Sequence, residues 1–265
     1  MKDLNICYWS GSGNWGDELN KDLCEAISER KVSIIDTSEA NSTFRYYCIG
    51  SILQSPGSGN YEVWGTGFIS SAARLKHIPN KIHAVRGPLT RNILLSHNIE
   101  CPEIYGDPAL LYSKFYKPNV LKEYKYGIVP HYVDYHTEWV EQLKKDKLIN
   151  VIHPTATDTN TFVDEVNKCE VILSSSLHGI VCGDSYGIPS YWIELSDKVY
   201  GNGFKFRDYF LSVKRDDKKP IKVTAKSKLA DIVKNLKIKD YKIDIDLDLL
   251  YQSCPFLKTN KVLNI

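Results

Sequence analysis

Short runs of β-branched and aromatic residues alternate with stretches whose apolar positions recur every three to four residues, and the alternation continues along most of the chain. The short runs predict strands at 5–9, 32–36, 46–49, 62–64, 81–85 and 103–105, and again at 125–130, 150–153, 170–174, 190–193 and 221–223. Between several of them the period predicts helices of about ten residues or more. Strands separated by helices need crossover connections, and crossovers build parallel sheets covered on both faces. The expected fold class is therefore α/β. The pattern breaks over 113–123, SKFYKPNVLKE, where Pro118 and Asn119 interrupt it and charge replaces the apolar period. The expected organisation is a Rossmann-like domain over 1–118, a second over 119–243, and a closing helix and tail over 244–265 that packs back on the first half. In open sheets of this kind ligands lie beyond the carboxyl ends of the strands, so the expected site is a cleft between the halves, lined by residues just after strands.

Composition narrows the class. The 265 residues carry 34 basic and 32 acidic side chains, a formal charge of +2, and 43% are hydrophobic, which describes a folded protein long enough for two cores. No apolar run approaches the roughly 20 residues that cross a bilayer, and the opening MKDLNICYWSG is too short in apolar residues for a secretory signal. The expected location is cytoplasmic. Seven scattered cysteines with no C-x-x-C pair, and no H-E-x-x-H, read as reduced core residues, with no metal site. Over 214–242 eleven basic residues stand against four acidic ones. That stretch is either a solvated face or a surface drawn to an anionic membrane or acidic glycan, which would hold the chain at the inner face of the membrane. It lacks interleaved stacking aromatics, so no nucleic-acid partner is expected.

Candidate chemistry gathers at predicted strand ends. Gly11, Gly13 and Gly16 form G-x-G-x-x-G after the first strand, with Asp36 twenty residues beyond Gly16, which is the dinucleotide fingerprint. Here, however, Asp17 and Glu18 occupy the first helical turn, where they would repel a pyrophosphate; Glu18 suits a helix N-terminus, and Asp17 is either a cap or a functional carboxylate. In the second half a strand runs into Ser174, Ser175 and Ser176, then Leu177-His178-Gly179 and a helix. His178 there can act as a base or ion-pair with a phosphate, while the serines offer hydroxyl and N–H groups to an anion. Gly183-Asp184-Ser185-Tyr186-Gly187 matches G-x-S-x-G but falls inside the predicted helix, so Ser185 is not read as a nucleophile. Arg86, before Gly87-Pro88, can grip a carboxylate or phosphate with its forked guanidinium. Asp107, His131 and Asp134 also follow strand ends, and Lys205 and Arg207 add cations. Trp15, Trp64 and Trp192 either stack on a sugar or belong to the core.

GNWGDEL at 13–19, CIGSIL at 48–53, VWGTGF at 63–68, VRGPLT at 85–90, YGDPALL at 105–111, IVPHYVD at 128–134 and SSSLHGIVCGDSYGIP at 174–189, in this order, resemble the polysaccharide pyruvyl transferase family. LLYQSCPF at 249–256 resembles that family's terminal helix. The resemblance implies a pair of Rossmann domains of the GT-B glycosyltransferase kind. It also implies transfer of pyruvate from phosphoenolpyruvate to a sugar of a surface polysaccharide, or its lipid-linked precursor, as a cyclic ketal with release of phosphate and no cofactor. On that reading His178, Asp17 and Asp107 are catalytic. Asn14, Gly16, Arg86, His131, Ser175, Ser176, Gly179 and Lys205 bind substrate. One departure is that many members carry arginine immediately before Leu-His-Gly where this chain has Ser176; Arg86 or Lys205 is the candidate to replace it. Rival readings are a GT-B transferase using a nucleotide sugar, an NAD-dependent oxidoreductase, and a non-catalytic glycan-binding scaffold.

Overall fold

The computed structural model describes residues 3–9, 13–38, 43–55, 57, 59–155 and 158–258. Gly11 of the fingerprint therefore lies outside the described residues. The chain first lays down β1 (Leu4–Tyr8), α1 (Trp15–Ser28), β2 (Val32–Asp36), β3 (Arg45–Tyr47), β4 (Tyr61–Trp64), β5 (Lys81–Ala84) and α2 (Pro88–Leu95). A 3₁₀ helix, Pro108–Lys114, leads into β6 (Tyr124–Val129), α3 (Glu138–Leu143), β7 (Ile149–Val151), α4 (Thr159–Asn167), β8 (Cys169–Ser174), α5 (Leu177–Ser185), β9 (Ser190–Glu194), α6 (Phe204–Ser212), β10 (Ile221–Lys222), α7 (Leu229–Lys234) and α8 (Leu247–Gln252). The result is an α/β architecture of two five-stranded sheets, ordered β2-β1-β3-β4-β5 and β10-β9-β8-β6-β7, with every strand pair parallel.

Counted within itself, each sheet has the order 2-1-3-4-5. In that order consecutive crossovers leave the first strand in opposite directions, and the gap they open at its carboxyl end is the place where doubly wound sheets bind ligands. The chain thus contains two such switch points, between β1 and β3 and between β6 and β8.

Local chemistry explains the elements that frame them. Trp15, Leu19, Leu23 and Ile27 repeat at every fourth residue and bury one face of α1; the Asn14 side chain caps the helix by accepting from Gly16 N–H at 3.2 Å. After β3 the chain leaves the ladder, and the buried Asn20 side chain takes it over, accepting from Ile49 N–H at 2.9 Å and donating to Ile49 O at 3.2 Å. The strand expected at 103–105 is reduced to a single parallel bridge between Val85 and Tyr105. Pro102 and Pro108 bracket it, Gly106 turns at φ 138°, and too few donors are left to extend a ladder.

One apolar cluster runs across both sheets, from Leu4, Trp15 and Trp64 to Val129, Ile172, Trp192 and Phe210. Residues 247–256 return to the first sheet, where Trp64 Nε1 donates to Leu250 O at 3.0 Å and Phe256 packs edge-on against Trp64 and Tyr46. All seven cysteines are buried and free. Arg215, from the basic stretch, is not on the surface. It lies between the Phe210 and Tyr241 rings and bonds Asp217, Asp184 and Ser190 O.

A second buried pair pins α6 to α2. Asp208 accepts from Arg86 Nε at 3.0 Å, Thr90 N–H at 2.9 Å and Thr90 Oγ1 at 2.7 Å, with both charged side chains fully buried. Removing one partner of such a pair strands a buried charge, at a cost of about 3–5 kcal/mol. Asp208→Ala is therefore expected to lower the thermal midpoint by on the order of 10 °C, read by circular dichroism; a shift near zero would show the pair to be dispensable.

Candidate functional site

The two switch points face one cleft of about 150 Å³. The loop after β1 and the first turn of α1 bring Trp9, Asn14 and Asp17, the loop after β3 brings Ser51, the loop after β6 brings His131, the β8–α5 junction brings Ser176 and His178, and the β9–α6 connection and first turn of α6 bring Lys198, Tyr200 and Lys205. The first-turn N–H groups of α5 have no partner within the helix and supply positive potential at the same place. The Ser176 hydroxyl at its cap makes no hydrogen bond among the described residues.

His178 is the second residue of α5 and is nearly buried. Its Nε2 is sealed from solvent and faces Asp107 Oδ2 at 3.7 Å; neither atom has any other partner, while Asp107 Oδ1 caps the 3₁₀ helix by accepting from Ala109 N–H at 3.0 Å. Two orphaned polar atoms set against each other in the interior are poised for one hydrogen bond. That bond would hold the ring with Nδ1 left for the cleft. The other side of the imidazole lies directly on the backbone of Gly16, where a Cβ would stand 2.0 Å from Nδ1. Gly16 is therefore the residue that makes room for His178. Gly16→Ala is expected to lower kcat about 100-fold, the cost of an ångström-scale misplacement, and to lower the thermal midpoint as well, since a Cβ 2.0 Å from a buried ring overpacks the interior by about 1–3 kcal/mol. Paired assays of turnover and melting check this, and unchanged turnover would contradict it.

The charged groups have unusual acidities. Burial pushes the Asp17 carboxyl up to about 6, against the opposing pull of His178 and Lys205. Burial and the nearby Arg86 charge bring the Lys205 ammonium down to about 8, with Asp17 acting in the other direction. Lys205 also sits in the first turn of α6, where the helix dipole disfavours a cation, so local helix chemistry does not account for it. His131 is brought down to about 3 by burial, Lys205 and His178. It stays neutral, with Nδ1 receiving a long 3.5 Å bond from Val133 N–H and the Nε2 proton available to a ligand.

The structure thus brings Asn14, Asp17, His131, Ser176, His178 and Lys205 to one cleft, with Gly16 behind His178. Four expected site residues lie elsewhere. Arg86 is fully buried and spends its guanidinium on Asp208, Ser51 Oγ and Phe68 O, so it grips no ligand; at most it acts through Ser51. The Ser175 hydroxyl is taken at both ends, donating to Asp134 Oδ2 and accepting from His131 N–H, each at 2.8 Å. A Cβ on Gly179 would meet Ser174 Oγ at 2.4 Å and Val129 Cγ1 at 2.7 Å, so its smallness serves the packing of α5 on the second sheet. Asp107 is fully buried behind His178 and cannot touch an acceptor hydroxyl. Trp15, Trp64 and Trp192 are all core.

The sequence reading missed Trp9, the exposed tryptophan of the cleft, Asn20, which holds the loop leading to Ser51, and the Lys198–Tyr200 segment. Ser185 closes α5 with its hydroxyl on Leu110 O at 2.9 Å, a packing contact. The dinucleotide reading also fails at this loop. The His178 ring fills the space beside Gly16 that a pyrophosphate needs, and Asp36 bonds Ser38 N–H at 2.8 Å.

Among the described residues no group of three His, Cys, Asp or Glu side chains could hold a metal ion, and no helix is long and apolar enough to cross a membrane. The model of the polysaccharide pyruvyl transferase family matches residues 14–197, a stretch that carries Asp17, Asp107, His131 and His178 and stops before Lys205. The chain is also 30% identical over 261 residues to Uncharacterized protein L143 of Acanthamoeba polyphaga mimivirus, covering 94% of this chain and 88% of that one. No solved structure matches it at a significant level. The chain therefore belongs to the polysaccharide pyruvyl transferase family, and with it to the transferases that act on polysaccharide.

Proposed function

We propose that the chain transfers pyruvate from phosphoenolpyruvate to two hydroxyls of one sugar, forming a cyclic ketal and releasing phosphate. The observation that carries this is the convergence of two lysines, Lys198 and Lys205, two imidazoles, His131 and His178, and one carboxylate of raised pKa, Asp17, on a small cleft at two facing switch points. The cleft, of about 150 Å³, has room for a three-carbon donor, whereas the base and sugar of a nucleotide donor would have to extend outside it.

Each step of the reaction finds a group. Lys205, the Ser176 hydroxyl and the α5 N-terminus hold the phosphate and carboxylate of the donor. His178 Nδ1 gives a proton to C3 of the enol, which leaves C2 electrophilic; Asp17, ionised near neutral pH, takes the proton of the first sugar hydroxyl as its oxygen bonds to C2. The C2–O bond to phosphate then breaks, phosphate leaving with the proton held by Asp17, and the second hydroxyl closes the ring as its proton returns to His178. His131 Nε2–H stabilises the charge that develops on the donor oxygens. Asp107 holds His178 without touching substrate. With Arg86 committed to Asp208, Lys205 takes the place of the arginine that many family members carry at the position of Ser176.

The acceptor on this reading is a lipid-linked oligosaccharide, reached at an inner membrane surface to which the lysines of 214–242 are drawn. The test is phosphate release from phosphoenolpyruvate with extracted lipid-linked oligosaccharide, the product being examined for an acid-labile ketal. Acceptor-dependent phosphate release is expected. Sugar transfer from a nucleotide sugar in its place would overturn the reading.

A further inference from the structure

We infer that the open groove beside the catalytic cleft, behind the β9–α6 connection, is a second sugar subsite that holds a neutral residue of an oligosaccharide acceptor next to the one that receives pyruvate. The inference rests on the pyruvyl-transfer reading for the identity of the neighbouring cleft, and on separate observations for the groove itself. The groove measures about 510 Å³ and shares Lys198 and Tyr200 with the cleft, so a ligand chain can pass from one to the other.

Its chemistry is that of a polyol site. Tyr200 is 69% exposed and offers an aromatic face for a pyranose ring. The side chains of Asp197, Tyr200 and Asn202 make no hydrogen bond among the described residues, and Glu194 reaches only Lys222, at 3.7 Å. Carboxylates, a phenol and an amide together can accept from and donate to several hydroxyls of one sugar. The charges of Glu194 and Asp197 balance those of Lys198 and Lys222, which argues against a nucleotide diphosphate in this groove and for a ligand without net charge.

The wall is also held in shape. Gly201, Asn202 and Gly203 all have positive φ, at 97°, 46° and 70°, and Gly201 abuts Ile69 O so closely that a Cβ would stand 2.0 Å from it. A groove already shaped before the ligand arrives avoids much of the ordering cost of binding.

Titration of the purified chain checks this with methyl glycosides of galactose, glucose, mannose and N-acetylmannosamine, and with neutral disaccharides ending in each, followed by saturation-transfer NMR. At least one disaccharide is expected to bind about 10-fold tighter than its terminal methyl glycoside, a gain of about 1.4 kcal/mol. Glu194→Gln is expected to remove most of that gain while the thermal shift caused by phosphoenolpyruvate is unchanged. Equal affinity for every mono- and disaccharide pair, no effect of Glu194→Gln, or displacement of the disaccharide by a nucleotide sugar would each overturn the subsite. Failure of phosphoenolpyruvate to shift the melting temperature, with the disaccharide gain intact, would instead count against the pyruvyl-transfer reading and leave the subsite standing.

Discussion

Replacing His178 with alanine is expected to lower kcat by about 10²–10⁴-fold, the range associated with a positioned acid–base group. Phosphoenolpyruvate affinity should change little, because the proposed mechanism gives the donor contacts to Lys205 and Ser176. The same experiment extends to Asp107, and there it separates two roles. Asparagine at 107 can still cap the 3₁₀ helix through its oxygen, preserving the bond to Ala109 N–H. It would, however, turn an amide N–H toward His178 Nε2, the atom now facing a carboxylate oxygen at 3.7 Å. With Nε2 held as an acceptor, the ring could not carry the second proton that makes it an imidazolium, so Nδ1 could not give one to C3 of the enol, an effect of the kind that disables other histidine–carboxylate pairs. Asp107→Asn should therefore fold normally and lose at least about 100-fold in kcat with KM for the donor unchanged. Wild-type turnover in that variant would reduce Asp107 to a helix cap.

The pH dependence of kcat/KM should be bell-shaped. On the proposed mechanism Asp17 acts as a base only when ionised, and burial places its carboxyl at about 6, so activity rises as pH climbs through that value. In the same proposed mechanism Lys205 holds the donor only while charged, and burial together with Arg86 places it at about 8, so activity falls as pH climbs through that value. Asp17→Asn should remove the acidic limb along with most of the turnover. Lys205→Arg should keep donor binding and carry the alkaline limb beyond the measured range, since a guanidinium stays protonated. An alkaline limb that remains near 8 in Lys205→Arg would assign it to another group.

Burial at Asp17 has a counterpart in stability. An acid whose folded pKa lies above its unfolded value favours the folded state most at low pH, and that contribution is lost as pH rises from about 4 through about 6. A surface-exposed carboxylate at this helix position would stabilise α1; the buried one does the reverse. This is the pattern of a residue kept for chemistry at the expense of stability.

What could be read in the chain follows from the range of the forces involved. Strand positions and the placement of His178 at the head of a helix depend on neighbours within a few residues, and SSSLHG carries them locally. The identity of a buried partner does not. Arg86 finds Asp208 across 122 residues, and Ser175 finds Asp134 across 41; without those partners in view, a guanidinium and a hydroxyl after a strand look like ligand contacts. Gly179 looked like part of a binding turn, yet its constraint comes from Val129 and Ser174 on neighbouring strands. Asp107 follows a single bridge at Tyr105 in place of the expected strand, and its depth, which sets Oδ2 against His178 while Oδ1 caps the 3₁₀ helix, depends on how the two sheets pack. Tyr200 and Lys198 lie in a connection with no periodicity, and only the walls of the cleft single them out. A glycine in the first turn of α1 facing a distant histidine leaves no trace in spacing at all.

Central to the proposed function is the binding of one small phosphorylated acid where Lys205, Ser176 and His178 meet. Isothermal titration of phosphoenolpyruvate, without acceptor, tests it most directly. Saturable one-to-one binding to the wild-type chain, weakened about 10–100-fold in Lys205→Ala as a charge-assisted contact is lost, is the predicted result. Binding of equal strength in the two proteins, or none in the wild type, would contradict it.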